Sequence, residues 1–264
     1  MNVLRAIVVL LSTVGLLVAF VLLAVFGDSI SGSHNTFAPA GEVAQKQKDL
    51  FLIALWPAIA VLVLVFGAIA YIVLRFRQRR EDEPPPVQVH GNQRLELAWT
   101  IAPALLLFGL AVPMIATIVD LGDAPSRDAL EINVTGQRFN WFFEYPGIVD
   151  ASGKSLGPIA DELHVPVGRE IVANLHSVDV IHSFWNPRLA GKQDVVPGHN
   201  NRLVFRADEP GTYPGQCAEF CGLFHAEMKF TIIAQTPPDF QAWCDEQVGE
   251  PGAEGCQPVT LSRE

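Results

Sequence analysis

Half of the 264 residues are hydrophobic and the mean hydropathy is positive, which excludes a purely soluble acidic protein and directs attention to membrane spans. The net charge is −10, and from Asp120 onward acidic residues outnumber basic ones 21 to 10. With no polybasic stretch in that region, nucleic-acid binding is excluded, and the acidic excess suits a basic protein partner as well as plain solubility.

Taken in chain order, the first element is a run from Val3 to Phe26 that is apolar except for Arg5, Ser12 and Thr13. Residues 1–27 therefore read either as a secretory signal ending near Gly27 or as an extra transmembrane helix. Two further runs, Phe51 to Leu74 and Leu97 to Val119, each exceed the roughly 18 apolar residues that mark a span. They predict helices at about 51–75 and 95–119, an antiparallel transmembrane hairpin within residues 28–120, after a polar outside segment up to residue 50. The cluster Arg75-Phe76-Arg77-Gln78-Arg79-Arg80 follows the second run directly, so the connecting loop is cytoplasmic. Pro84, Pro85 and Pro86 keep that loop from being helical. Everything beyond Asp120 is then extracytoplasmic.

After Asp120 the periodicity changes from helical to alternating. Leu130–Val134, Glu170–Leu175, Arg202–Arg206 and Phe230–Ile233 read as strands separated by Gly, Pro and Asp clusters, which predicts a β-sandwich or barrel over residues 121–236. Pro237 to Trp243 opens a short helix, with proline at its start, in a C-terminal piece of residues 237–264.

The chemistry sits in Gly215–Met228, which holds Cys217, Cys221, His225 and Met228, with His182 upstream beside a strand. Soft sulfur donors with imidazole favour copper, and one thiolate, imidazole and a weak thioether make a blue-copper ligand set. A second thiolate on the same loop allows both sulfurs to bridge two metal ions. The opposing reading is a Cys217–Cys221 disulfide with a core methionine and core histidines. Cys244 and Cys256 match no ligand position, and in an oxidising compartment they read as a disulfide, against two free thiols on a frayed terminus.

The segment Cys217-Ala218-Glu219-Phe220-Cys221-Gly222-Leu223-Phe224-His225-Ala226-Glu227-Met228 resembles the copper A (CuA) motif of cytochrome c oxidase subunit II. The resemblance covers nearly the whole chain and implies a membrane α-helical hairpin followed by an all-β cupredoxin-like Greek-key sandwich. It implies a binuclear copper centre with His182, Cys217, Glu219 through its carbonyl, Cys221, His225 and Met228 as ligands. A magnesium ion held by the Glu219 side chain at the contact with subunit I is implied as well. By the same resemblance Asp179 lies near the docking or subunit I surface. Glu96, in Leu95-Glu96-Leu97-Ala98-Trp99, lies at the mouth of a proton channel, beside the simpler reading of a carboxylate favoured by the helix dipole. Phe139 or Trp141, in the aromatic segment 136–145, accepts the electron. Phe139 stands where the family has its electron-accepting tryptophan, and the alternating spacing equally fits core packing for Trp141 and Phe143. The implied partners are oxidase subunit I with its haem, other oxidase subunits, membrane lipid, and cytochrome c or a membrane-bound cytochrome as donor. No Cys-x-x-Cys-His haem attachment site is present, so that donor is a separate protein. The implied activity is transfer of electrons to haem for reduction of oxygen to water coupled to proton pumping, at a plasma membrane. Alternatives are a CuA subunit of a nitric oxide reductase and a membrane-tethered cupredoxin carrier; a quinol oxidase subunit II would lack the ligands.

Overall fold

The computed structural model describes residues 34–76, 87–88, 90–249 and 256, with scattered positions between 12 and 23. The expectations for residues 1–27 and for the proline-rich part of the loop fall largely outside the described residues. The chain divides into two compact units, one holding Asp49–Gly122 and the other Asp28–Lys48 with Asp123–Glu264.

The apolar unit is built from helices α1, Glu42–Arg75, and α2, Gln93–Leu121. Their 34 and 29 residues exceed the roughly 20 needed to cross a hydrocarbon core. Both are long and apolar enough to span a membrane, and large apolar side chains such as Leu64, Leu105 and Phe108 face outward. Such a surface is stable only against lipid or other apolar helices. Helix α1 begins nine residues before its apolar run. The polar stretch Glu42–Leu50 is helical too, with Glu42 in the first turn bonded to Lys46 at 2.6 Å. Hydropathy cannot register such a polar extension, which rests instead on helix propensity, an i,i+4 pair and an acid at the positive end of the dipole. Helix α2 starts with a reciprocal cap: Asn92 Oδ1 accepts from Leu95 N at 3.2 Å, and Glu96 Oε1 accepts from Asn92 N at 3.1 Å.

The second unit is a two-sheet sandwich. One sheet carries β1 (Leu130–Gln137), β2 (Asn140–Val149), β3 (Ser155–Ala160), β5 (Glu170–Ser177) and β8 (Asn201–Arg206) in the order β3-β2-β1-β5-β8. The other carries β4 (Glu162–Pro166), β6 (His182–Asn186), β7 (Gly191–Val195), β9 (Gly211–Cys217) and β10 (Lys229–Gln235) in the order β4-β10-β9-β6-β7. The pairs β1–β5 and β4–β10 are parallel and the others antiparallel, so the chain crosses repeatedly between sheets. In β1 and β2 alternate residues point inward, and Ile132, Val134, Trp141, Phe143 and Tyr145 are wholly buried. Trp141 and Phe143 meet Phe184 and Phe230 of the facing sheet, whose rings stack at 4.2 Å. Burying side chains of this size stabilises the sandwich by about 1.5–3 kcal/mol each.

Part of the expected polar outside segment packs on the sandwich. Ala40 donates to Arg188 O and accepts from Asp208 N, both at 2.8 Å. A Cβ on Gly41 would lie 2.3 Å from Arg206 O, so only glycine allows this approach. At the other end, helix α3, Pro237–Val248, is capped by Thr236 and closed by Gly249 in the left-handed conformation. It buries Phe240 and Cys244 and lays Trp243 flat on His164, with centroids 4.1 Å apart. Cys244 and Cys256 form a disulfide with Cα atoms 5.8 Å apart, and both are buried.

Replacing Cys244 and Cys256 together by alanine removes a short cross-link, for which the chain-entropy model gives about 3 kcal/mol as an upper figure. Urea unfolding of the variant full-length chain should show a lower midpoint for the sandwich, and an unchanged midpoint would place α3 outside the cooperative unit.

Candidate metal centre

Three neighbouring segments of one sheet bring the donors together. Strand β6 opens with His182, β9 ends at Cys217, and β10 begins immediately after Met228. Phe184 pairs with Cys217 in the β6–β9 register. Cys217 N donates to Met228 O at 2.9 Å, and Ala218 N donates to Ser183 O at 3.0 Å. Both ends of the loop are thus pinned, and the loop between them, with its 3-10 turn His225–Glu227, carries Cys221 and His225.

Cys217 Sγ lies 3.8 Å from His182 Nδ1, 3.9 Å from Cys221 Sγ and 3.2 Å from the carbonyl oxygen of Glu219. Cys221 Sγ lies 3.6 Å from His225 Nδ1 and 3.7 Å from Met228 Sδ. The six positions singled out in the sequence are therefore assembled around two sulfurs, which are not bonded to each other. His182, Cys217 and Cys221 present donor atoms all within 4.8 Å of one another. His182 and Met228 are fully buried, the two cysteines nearly so, and His225 partly exposed.

The electrostatics fit a cation. Burial opposes ionisation of Cys217, but hydrogen bonds from His182 and from the Ser183 backbone outweigh it and lower its pKa. Burial and the neighbouring Cys217 charge push Cys221 the other way. One thiolate forms readily, and the second requires positive charge between the sulfurs. The soft donors select copper over hard cations.

Asp179 fixes the orientation of His182. Its Oδ1 accepts from His182 Nε2 at 2.8 Å, which leaves Nδ1 free to face Cys217. Its Oδ2 accepts from Arg138 N at 2.9 Å and Arg138 Nε at 3.2 Å, and Val180 N donates to Oδ1 at 2.6 Å. Burial disfavours the carboxylate, yet these donors hold Asp179 well below the usual carboxylate range. The resemblance placed Asp179 near the docking or subunit I surface; its bond to His182 is an addition from the structure, for which the spacing of three residues was the available signal.

The other candidates lie as follows. The Glu219 side chain is exposed. Trp141 is wholly buried, edge-on to His182 at 5.9 Å between ring centroids, whereas Phe139 is half-buried against Phe224 at 5.4 Å. Around the loop, Phe220, Leu223 and Phe224 are exposed, Leu223 to 87%, an apolar rim that sequence periodicity does not reveal. Glu96 belongs to the other unit and caps α2.

A helical hairpin of membrane-spanning length and a β-sandwich with a soft-donor cluster at one end define the class: a membrane-anchored protein with a candidate metal centre. The model of the cytochrome c oxidase subunit II periplasmic domain matches residues 130–235, and that of the subunit II transmembrane domain matches residues 36–117. The chain is 36% identical to cytochrome c oxidase subunit 2 of Alkalihalophilus pseudofirmus, over 86% of this chain and 67% of that one. It is 31% identical to the subunit of the same name from Synechocystis, over 80% of this chain and 76% of that one. Quinol oxidase subunit 2 of Bacillus subtilis is 30% identical, over 89% and 73% respectively. Among solved structures, the periplasmic domain of subunit II of the cytochrome oxidase of Bradyrhizobium japonicum is 32% identical over 47% of this chain and 96% of that one, with a TM-score of 0.41. The chain belongs to the cytochrome c oxidase subunit II family, and so to an oxidoreductase complex.

Asp179→Asn removes the charge while retaining an acceptor oxygen. Copper affinity, measured by competitive titration, should fall by about tenfold or more. An unchanged affinity would confine Asp179 to holding the turn between β1 and β2.

Proposed function

We propose that this chain is the electron-accepting subunit of a cytochrome c oxidase, with two copper ions held by His182, Cys217, the Glu219 carbonyl, Cys221, His225 and Met228. The observation that carries this reading is the pair of unbonded thiols, 3.9 Å apart, each flanked by an imidazole. A disulfide would occupy both sulfurs, and a mononuclear site needs only one. When bound, copper held by these residues would supply a one-electron carrier. The chain's own part is to hold the donors rigidly. The cysteine loop is pinned at both ends to β6 and β10, and little geometry has to change when an electron arrives or leaves.

In this proposal residues 28–120 anchor the chain in the plasma membrane and residues 121–236 form the extracytoplasmic copper domain, completed by residues 237–264. Electrons come from cytochrome c or a membrane-bound cytochrome. They pass on to the haem of subunit I, where oxygen is reduced to water with proton pumping. Phe139 is the better candidate for the electron-accepting aromatic, since Trp141 has no exposed surface. The exposed carboxylate of Glu219 would hold magnesium at subunit I, and Glu96 would feed protons to it. The quinol oxidase relatives give a second reading, with quinol as the donor. The complete donor set favours the copper-dependent one.

Copper analysis of the purified full-length chain, reconstituted with copper, should give two ions per chain. One ion per chain, or a single-copper four-line EPR signal, would refute the binuclear centre. Cys217→Ser should abolish the mixed-valence absorption, since a hydroxyl is too hard and too basic to bridge. Met228→Leu should keep copper and alter the reduction potential.

Two further outcomes are measurable on the assembled complex. Glu96→Gln should slow proton uptake with the copper spectrum intact, whereas unchanged turnover would leave Glu96 only its capping bond. Oxidation of a basic cytochrome c should slow as ionic strength rises and the Debye length falls below about 8 Å. A rate flat across salt would indicate apolar docking, for which the Phe220–Leu223–Phe224 rim is the available surface.

A further inference from the structure

Gly136 lies near the end of β1, buried and paired on both sides, with Trp141 of β2 and with Ser177 of β5. Its backbone conformation is open to any residue, so the left-handed freedom of glycine is not what the site uses. What it uses is the missing side chain. A Cβ at this position would lie 3.0 Å from His182 Cδ2, 3.3 Å from His182 Cγ and 3.3 Å from Trp141 Cζ3.

We propose that Gly136 is a positioning residue for the metal centre: the bare backbone of β1 is the wall against which the His182 imidazole rests. The proposal builds on the copper-binding reading above and concerns how one donor of that site is aimed. A methyl group here must displace something, and the surroundings determine what moves. The strand cannot retreat, because it is bonded into the sheet on both edges. The indole of Trp141 cannot retreat either, being wholly buried with Phe184 at 5.5 Å and Phe230 at 5.6 Å. The imidazole is left to give way. It is tied to Asp179 through Nε2 at 2.8 Å, so a push at Cδ2 tilts the ring about that bond. The tilt changes the position of Nδ1, which lies 3.8 Å from Cys217 Sγ. A displacement of a few tenths of an ångström is small for a packed core but large for a coordination bond.

The test uses the full-length chain reconstituted with copper, as wild type, as Gly136→Ala and as Gly147→Ala. Gly147 is an exposed glycine of β2 whose added Cβ meets nothing within 4 Å, so it reports the effect of a methyl in a strand without crowding. Gly136→Ala should bind copper about tenfold more weakly, the lower end of what changes behind a ligand cost metal sites. It should also show a shifted visible band and altered copper hyperfine splitting, while Gly147→Ala matches wild type in all three. A Gly136→Ala chain with wild-type affinity and spectrum overturns the proposal. A wild-type chain that takes up no copper overturns the function proposed above instead, so the two failures are distinguishable. If Gly136→Ala does not fold, Gly136→Ala with Trp141→Phe gives the methyl room on the indole side. That variant should fold with a displaced copper spectrum. A wild-type spectrum in it, or failure of both variants to fold, overturns the positioning role.

Discussion

The metal centre depends on one junction in the sheet, where β6, β9 and β10 come together with His182 and Cys217 on adjacent strands. The two residues are 35 apart in sequence, yet the Phe184–Cys217 register and the bond from Cys217 N to Met228 O bring histidine, thiol and thioether within reach of one another. The remainder of the domain makes that junction rigid. The aromatic core of Trp141, Phe184 and Phe230 lies directly beneath it. Asp179 and the β1–β2 turn hold the histidine from the side. Under the proposed function this over-determined support matters, since each loose donor would add reorganisation to every electron transfer.

The same geometry accounts for the asymmetry between the two thiols. Cys217 sits where backbone and imidazole donors converge and ionises against the cost of burial, whereas Cys221 faces the charge its neighbour already carries. The two thiols are therefore unequal, and a cation between them would favour ionisation of the second. The acidic excess of the domain belongs to residue composition and suits solubility as well as a basic partner. The buried cluster answers to local hydrogen bonds instead.

The candidate donor loop stands out in the sequence because its side chains are chemically unusual and closely spaced. The strands beneath it were less so. β1, β5, β8 and β10 alternate in residue type and could be read directly, whereas β6, His182–Asn186, is buried at nearly every position and shows no alternation. β9 carries two glycines and Pro214, residues that ordinarily speak against a strand. Their assignment is tertiary: β6 and β9 are strands because neighbours on either side accept and donate to them. The hairpin was visible as hydropathy, but its outward helical extension was not, since Glu42–Leu50 looks like loop on any apolar scale. Asp179 offered a signal in its spacing three residues before His182, whereas Gly136 offered none, because its part depends on a ring brought to it from another strand.

The parallel pairing of β4 with β10 has a consequence for how the domain is made. Glu162 finds its partner in Thr231, 69 residues later in the chain, and among the described residues β10 is the only strand beside β4 in the sheet. At synthesis rates of about 5–20 residues per second, β4 leaves the ribosome roughly 3–14 seconds before the strand that completes it. During that interval Leu163 and Val165, wholly buried in the finished domain, belong to an unpaired strand with free backbone donors and acceptors. The nascent domain thus passes through a stage in which it is most exposed to mispairing, and anything that shields an extended segment of the growing chain would act on β4 first.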